Sequence, residues 1–323
     1  MTVFRSVSFI VEWENAKLSE LDRAKGMLNA ISRQASELGI PDGEKHEIII
    51  LFDSDDITET ELRKFVVEAL HPDADLDLRF EDGGAREYYD QKNYGATLAR
   101  RDWLVFIDSD VIPEESWLRD LAVARRNSNA ALIGGETYVT QTTMLDRALA
   151  AFWFFPRRYE GSGTYTTDRF FANNFIIERQ TFIDNPFPES TLVRGQCWLL
   201  AKRMLAQGQT IEICRSARVE HPAPNGGLHF FKRALIAGHD NWVMDLELEA
   251  ADAQHVTMKP LGRLRFDLRT AFRSIVEKDE ALKLDFVGRS VARLLAVTYY
   301  GLSAMGQMTA PIVPRRFRSL FRV

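Results

Sequence analysis

The stretch that decides the fold is WLVFIDSD, residues 103–110, in which five apolar residues run directly into two aspartates. An apolar run of this length predicts a strand buried on both faces of a sheet. Residues two apart in an extended segment point to the same side, so Asp108 and Asp110 are expected to face one ligand while Ser109 turns away. Two carboxylates this close repel each other and need a counter-charge.

A divalent cation is the simplest counter-charge for this acid pair. Mg²⁺ and Mn²⁺ prefer oxygen ligands, including phosphates, so the pair predicts a metal that also binds a phosphorylated ligand. The alternative is that both acids are solvated loop residues that cap the helix beginning near Pro113. Their position directly after a buried strand favours the metal.

The segments before this strand alternate between strand patterns and helix patterns, as in a parallel sheet covered by helices. The predicted strands are 7–11, 47–52, 76–80 and 103–107, and the predicted helices are 18–38, 58–70 and 89–99. Three of the strands end in acidic or polar clusters, at 12–15, 53–56 and 108–110. Ligands of open α/β sheets bind beyond the carboxyl ends of strands, so the acids are placed where a ligand is expected.

The second half of the chain has weaker patterns. We predict strands at 131–135, 176–177 and 210–214, a helix over 194–207 and a turn over 218–222. A domain boundary is predicted near Lys259-Pro260, which gives an α/β domain over residues 1–260 and a helical extension over residues 261–323.

Composition and charge limit the classes of function. The chain has 323 residues and a net charge of −5, which argues against a general nucleic-acid binder. Its two cysteines, Cys197 and Cys214, form no CxxC pair, so no disulfide framework or cysteine-rich zinc site is expected. The first 15 residues lack the pattern of a signal peptide. These features predict a cytoplasmic protein.

Three segments together resemble glycosyltransferase family 2. They are KNYGA at 92–96, WLVFIDSDVIP at 103–113 and Trp117-Leu118. In that family a KNxGA-like helix start precedes a strand that ends in a DxD motif, and the resemblance covers roughly residues 5 to 240. It implies the GT-A fold, a Rossmann-like mixed sheet flanked by helices, together with a nucleotide-diphosphate sugar as donor and a divalent metal.

The resemblance also implies roles for residues around the nucleotide. Asp53 would contact the nucleobase, with the turn from Glu12 to Asn15 beside it, and Lys92 and Asn93 would border the nucleotide pocket. The alternatives are that Asp53 caps the following helix and that Lys92 is a solvated helix residue.

The metal ligands implied by the resemblance are Asp108, Asp110 and His221. Asp108 would face the ribose and the metal, and Asp110 would be the direct ligand. Similar enzymes often place a histidine at the position of His221 as a further ligand of metal or diphosphate, and a neutral imidazole can complete a mostly oxygen site. The alternative is an ordinary loop histidine.

The chain departs from the family pattern at the catalytic base. Similar enzymes carry an acidic pair at the start of a late helix, whereas this chain has Gly195 and Gln196 there. An inverting transfer needs a base that removes the proton of the acceptor hydroxyl. Glu189 and Asp240 are the candidates, each with the alternative of a surface acid, and a retaining transfer also remains an alternative. Arg194 and Gln196 would instead bind the acceptor or the diphosphate.

The expected function is therefore a metal-dependent, inverting transfer of a sugar to a hydroxyl of a glycan, a lipid-linked acceptor or a small molecule. A nucleotidyltransferase would carry a glycine-rich phosphate loop after the first strand, and residues 12–15 do not form one. A catalytically degenerate scaffold that binds a nucleotide sugar or a partner without turnover is the other alternative, and the absent acid supports it.

The C-terminal extension contains 21 uncharged residues, 294–314. A spanning helix needs about 20 mostly apolar residues, but this stretch is only moderately apolar and has two prolines near its end. A helix in the membrane interface, or a broken hydrophobic hairpin, fits better. Arginines on both sides favour anionic headgroups at the inner face of the cell membrane, and they are Arg289, Arg293, Arg315, Arg316, Arg318 and Arg322. The prediction is peripheral membrane contact through residues 290–323, and the alternative is a tail packed on protein.

Overall fold

The computed structural model of the chain describes residues 6–18, 21–38, 44–155, 158–223, 226–251 and 258–312. They divide into two compact units. The first consists of Met1–Tyr138, Tyr159–Pro188 and Cys197–His221, and the second of Val139–Arg158, Glu189–Gln196 and Pro222–Val323.

The first unit is built on a mixed sheet. Its strands are β1 (Val7–Glu12), β2 (His46–Phe52), β3 (Leu76–Asp82), β4 (Trp103–Ile107), β5 (Ile112–Pro113), β6 (Leu132–Val139), β7 (Thr164–Thr166), β8 (Asn174–Glu178) and β9 (Ile211–His221). The order in the sheet is β3-β2-β1-β4-β8-β6-β9-β5, and β7 pairs with β9. Strands β1 to β4 run parallel, and β8 is antiparallel to β4. The mixed Rossmann-like sheet of the GT-A fold is therefore confirmed.

Helices cover both faces of this sheet. They are α1 (Glu14–Leu18), α2 (Leu21–Glu37), α3 (Glu59–Ala69), α4 (Tyr88–Leu98), α5 (Trp117–Asn127), α7 (Arg179–Asp184) and α8 (Gln196–Ala206). Alternate residues of β1 lie on opposite faces of the sheet. Phe9 and Val11 pack with α2, α3 and α5, and Ile10 packs with α4, α7 and α8. A strand buried on both faces is mostly apolar, which is why the apolar runs of β1, β2 and β4 could be identified in the sequence.

One predicted element is wrong. The turn expected over residues 218–222 lies mostly within β9, which continues to His221. The strand is longer than predicted, because Val219 and Glu220 pair with Pro113 and Ile112 of β5. As a result, His221 stands at the end of a strand and is not in a loop. The local sequence pattern does not predict this pairing of β9 with β5.

The second unit contains the helices α6 (Met144–Ala150), α9 (Gly226–Ala251), α10 (Pro260–Lys278) and α11 (Phe286–Thr309). Two glycines let α9 and α11 approach closely. A Cβ atom at Gly238 would lie 1.8 Å from the carbonyl oxygen of Ser303, and one at Gly306 would lie 2.2 Å from that of Leu235. The second unit thus combines α9 with α10 and α11, and α9 packs on α11. The domain boundary near residue 260 stays a prediction.

Helix α11 is continuous, so the broken hairpin suggested for this stretch is wrong over the described residues. The Asp285 side chain caps its start by accepting from the Gly288 amide at 2.7 Å. Within the described ranges, no helix is long and apolar enough to cross a membrane. Pro314 and the arginines at 315, 316, 318 and 322 lie outside the described residues.

Burial of His46 makes the stability of the fold depend on pH. Its Nδ1 accepts from the Val7 amide at 3.1 Å, its side chain is buried, and this burial lowers the pKa of His46 to about 4. The unfolded chain binds the proton near pH 6.5, so the stabilisation is present above that pH and is lost as the pH falls toward 4. In urea unfolding, we expect His46→Asn to abolish a pH-dependent loss of about 3 kcal/mol over this range.

The control is His71→Asn, because His71 lies in a partly exposed loop. We expect it to keep the pH dependence of the wild type. An unchanged pH slope in His46→Asn would contradict the prediction.

Candidate functional site

A buried cluster forms around Asp108 at the carboxyl end of β4. The carboxylate is 4% exposed and accepts hydrogen bonds from the Tyr88 hydroxyl at 2.7 and 2.8 Å and from Lys92 Nζ at 2.7 Å. The Asn15 side-chain amide donates to Oδ2 of Asp108 at 3.3 Å. Lys92 is fully buried, so its interpretation as a solvated helix residue is wrong. The cluster joins the end of β1, one face of α4 and the end of β4.

Glu12 extends this cluster along β1. Its two oxygens accept from the backbone amide of Asn15 at 3.1 Å and from its side-chain amide at 2.9 Å. Burial raises the pKa of Glu12 well above its usual value; Asp108 raises it further, and Lys92 offsets part of that rise. Glu14 and Asp110 also raise it. The site therefore places several acidic side chains around the buried ammonium of Lys92.

Asp110 and His221 meet beside this cluster. The Oδ2 atom of Asp110 is 3.9 Å from Nε2 of His221, and both side chains are largely buried. Arg23 of α2 holds the two segments together. Its Nε donates to the Asp110 carbonyl at 2.9 Å, and its two Nη atoms donate to the side chain and the carbonyl of Glu220 at 3.2 and 3.0 Å. Over the described ranges, no group of three or more His, Cys, Asp or Glu side chains is placed to hold a metal.

Arg23 and Tyr88 were missed by sequence reasoning. Tyr88 had a usable signal, because it precedes Lys92 by four residues and so lies on the same helical face. Arg23 had no such signal. The sequence pattern shows it only as one of several charged residues in a surface helix, and its partners are 87 and 197 residues away.

Two other residues predicted to lie near the nucleotide, Asp53 and Asn93, make hydrogen bonds within the protein. The Asp53 carboxylate accepts from the Asp55 amide at 3.0 Å. Asp53 does not cap α3, because Thr58 does so in a reciprocal capping box with Glu61. The Asn93 side chain donates to the carbonyl of Phe187 and accepts from its amide, both at 2.9 Å. Asn93 therefore anchors the chain at Phe187.

In the second unit, Asp240 of α9 holds the segment that leads into α8. Its two oxygens accept from the backbone amides of Val193 at 2.9 Å and Arg194 at 2.7 Å. The His239 Nδ1 atom is 3.0 Å from Asp240, and both side chains are buried. Asp240 is thus no surface acid, and it contacts the loop in which similar enzymes carry their acidic pair.

The loop that Asp240 holds has a fixed backbone. Gly195 has a φ of +102°, a region that residues with a Cβ rarely adopt. The Gln196 side chain is buried and donates to the Leu192 carbonyl at 3.1 Å. Glu189, the other candidate base, is exposed.

A family model described as Glycosyl transferase family 2 matches residues 19–187, just over half of the chain. No sequence among the curated proteins matches significantly.

Solved structures of S. aureus TarS, residues 1–349, are similar to this chain over most of both lengths. The complex with UDP is 13% identical, covers 95% of this chain and 91% of that chain, and has a TM-score of 0.48. The complex with UDP-GlcNAc is 13% identical, covers 95% and 92%, and has a TM-score of 0.49. With identity this low and TM-scores below 0.5, these likenesses say nothing about what the present chain binds.

The Lys92–Asp108 pair generates a prediction about stability. Lys92→Met would leave the Asp108 carboxylate buried without its ammonium partner, which should lower the free energy of unfolding by about 3–5 kcal/mol. Adding Asp108→Asn should recover part of this loss, because the buried charge is then gone. Urea unfolding measures both variants.

Lys64→Met is the matched control, because Lys64 lies on an exposed face of α3. It should change the free energy of unfolding by less than about 0.5 kcal/mol. Equal effects of the two methionine substitutions would show that the buried ion pair does not support the site.

Proposed function

The chain belongs to glycosyl transferase family 2, and from this premise we propose that it moves a sugar from a nucleotide-diphosphate donor to a hydroxyl acceptor with the help of Mg²⁺ or Mn²⁺. The observation that carries the metal assignment is the approach of His221 to Asp110, at 3.9 Å. The two residues come from different strand ends, and Arg23 fixes their separation through three hydrogen bonds.

The residues present fit such a cation. Adjacent ligands of an octahedral Mg²⁺ or Mn²⁺ lie about 3 Å apart, because each sits about 2.1 Å from the ion. At 3.9 Å, the Asp110 and His221 side chains would have to approach each other by about 1 Å to bind one cation as adjacent ligands. Mg²⁺ sites usually combine one or two carboxylates with substrate phosphates and water, so Asp110 and His221 would be sufficient protein ligands. When bound, the cation would stabilise the negative charge that develops on the departing diphosphate.

Asp108 has a different part in this proposal from Asp110. Its carboxylate already accepts from Tyr88, Lys92 and Asn15, so it organises the floor of the donor site. Lys92 has no exposed surface and would balance the charge of Asp108 without touching the donor. Contact of Asp53 with the nucleobase, and of the Glu12–Asn15 turn with the nucleotide, are further parts of the proposal.

For the transfer step we propose an inverting reaction with Asp240 as the base. Its support is that Asp240 lies against the Val193–Arg194 backbone, next to the positions that lack the family's acid. Oδ1 of Asp240 lies against both the Val193 amide and His239 Nδ1, so Oδ2, which accepts from the Arg194 amide and keeps further lone-pair capacity, would take the proton of the acceptor hydroxyl. Glu189 is the second candidate, on an exposed part of the same segment. Arg194 and Gln196 would then border the acceptor or the diphosphate.

The acceptor would be a glycan, a lipid-linked molecule or a small molecule with a hydroxyl group. Peripheral membrane contact through residues 290–323 would bring a lipid-linked acceptor within reach. The described part of that segment, residues 290–312, lies in α11 and the turn after it.

The second candidate function is a scaffold that binds the donor or a partner without turnover. It is favoured by Gly195 and Gln196, which occupy the positions of the missing acids. Incubation of the purified chain with a panel of nucleotide sugars and Mn²⁺ separates the two. Release of nucleoside diphosphate from at least one donor supports the enzyme, and none from any donor supports the scaffold.

Removing the Asp110 charge tests the metal assignment. Calorimetric titration with nucleoside diphosphates should show that Mn²⁺ raises the affinity of the wild type. We expect Asp110→Asn to lose about tenfold or more of that gain, because an amide is a weaker ligand than a carboxylate. Asp73→Asn, in an exposed loop, is the control and should behave as the wild type. Equal enhancement by Mn²⁺ in Asp110→Asn would refute the assignment.

Replacing Asp240 tests the base. We expect Asp240→Asn to lower kcat by about 10²- to 10⁴-fold while donor affinity stays near that of the wild type. The control is Asp245→Asn, which alters a buried acid of the same helix that pairs with Arg263. Full turnover by Asp240→Asn would exclude this residue, and full turnover by Glu189→Gln as well would favour a retaining transfer.

A further inference from the structure

Helix α11 carries an apolar stripe that no described residue covers. Its opposite side is buried and includes Ala292, Ala296, Ser303 and Gly306. Large apolar side chains on the outer side are between 46 and 77% exposed: Phe286, Val287, Leu294, Val297, Met305, Met308 and, in the turn after the helix, Ile312. They recur at helical spacing along the whole length of α11, so they form one continuous face. We call this face the α11 stripe.

The neighbouring helix α10 presents a mixed apolar and basic face. Its large exposed apolar residues are Leu261, Phe266, Phe272 and Val276. Three exposed arginines lie between them, Arg265, Arg269 and Arg273. Helices that lie in the membrane interface typically combine exposed apolar side chains with arginines or lysines.

The packing within the second unit fixes how α11 could meet a bilayer. One side of α11 is packed on α9 and α10, at close range where Gly238 and Gly306 allow backbone approach. Lipid can therefore reach only the outer side. A helix buried in this way would lie along the membrane surface with its stripe facing the acyl chains, and it would not span the bilayer.

We propose that the α11 stripe and the exposed face of α10 form a surface that docks on a bilayer containing anionic lipid. The apolar side chains would enter the boundary of headgroups and acyl chains. Arg265, Arg269, Arg273 and the exposed Arg293 would pair with headgroup phosphates. Phosphate oxygens also match the forked donors of a guanidinium.

Charge favours a bilayer over a second copy of the chain. A two-fold dimer brings the same patch of both copies together, so the α10 arginines of one copy would face those of the other. Glu277 is an exposed acid near the end of that face, and one acid does not balance three arginines. An anionic lipid surface complements all of them. This proposal does not depend on donor binding or turnover.

Flotation with vesicles tests the proposal on the full-length chain. The vesicles consist of phosphatidylcholine alone or of phosphatidylcholine mixed with phosphatidylglycerol. We expect the wild type to float with the mixed vesicles and to be released by salt in part, because the arginine contacts are screened. Leu294→Ser combined with Val297→Ser and Met308→Ser should lower the vesicle-bound to free ratio about tenfold or more.

Two further variants separate the contributions. In the first variant the three α10 arginines are replaced together, as Arg265→Gln, Arg269→Gln and Arg273→Gln. This variant should lose the preference for mixed vesicles over phosphatidylcholine vesicles. Val67→Ser with Val123→Ser removes exposed apolar side chains from α3 and α5 and should float as the wild type does. Circular dichroism melting shows whether each variant is folded.

Three results would overturn the proposal. The first is a wild type that does not float with either kind of vesicle. The second is flotation that is equal in the stripe variant and the control. The third is a dimer, seen by light scattering, in a protein that binds no vesicles. If the serine substitutions on α11 dissociate this dimer, a second copy of the chain is the occupant of the α11 stripe.

Discussion

The ion pair between Lys92 and Asp108 is the interaction on which the candidate site depends. Both side chains are buried, so neither charge is tolerable without the other. Asp108 follows β4 at the tip of the strand, and Lys92 lies in α4, so the pair ties a helix to the sheet where a ligand is expected. Tyr88 and Asn15 complete the hydrogen bonding of the carboxylate and bring the end of β1 into the same cluster.

Because Asp108 is neutralised from within the protein, the two aspartates of the acidic triplet have different environments. Asp110 faces His221, and Arg23 sets that distance by binding the backbone on one side and Glu220 on the other. The strand β9 pairs with β5 through Val219 and Glu220 and ends at His221. One triplet thus places one acid in a buried cluster, and in our proposal it offers the next acid to a cation.

The second unit contains a further buried carboxylate, that of Asp240. Asp240 reaches from α9 to the loop before α8, so a buried carboxylate lies beside positions where the sequence has Gly195 and Gln196. The positive φ of Gly195 shows that this loop has its own backbone requirement, which an acidic side chain would not meet easily. The same helix packs on α11, whose outer side carries the α11 stripe.

The sequence by itself determined the features that depend on neighbouring residues. The strand at Trp103–Ile107, the helix that begins after Thr58 and the Asp108–Asp110 triplet follow from local apolar patterns and capping chemistry, so they could be read directly. Only the tertiary structure decided that Lys92 is buried, that Arg23 bridges Asp110 and Glu220, and that the 218–222 turn is a strand. Those outcomes depend on hydrogen bonds and pairing between residues far apart in the chain, and a linear pattern carries no information about which of many charged residues will meet.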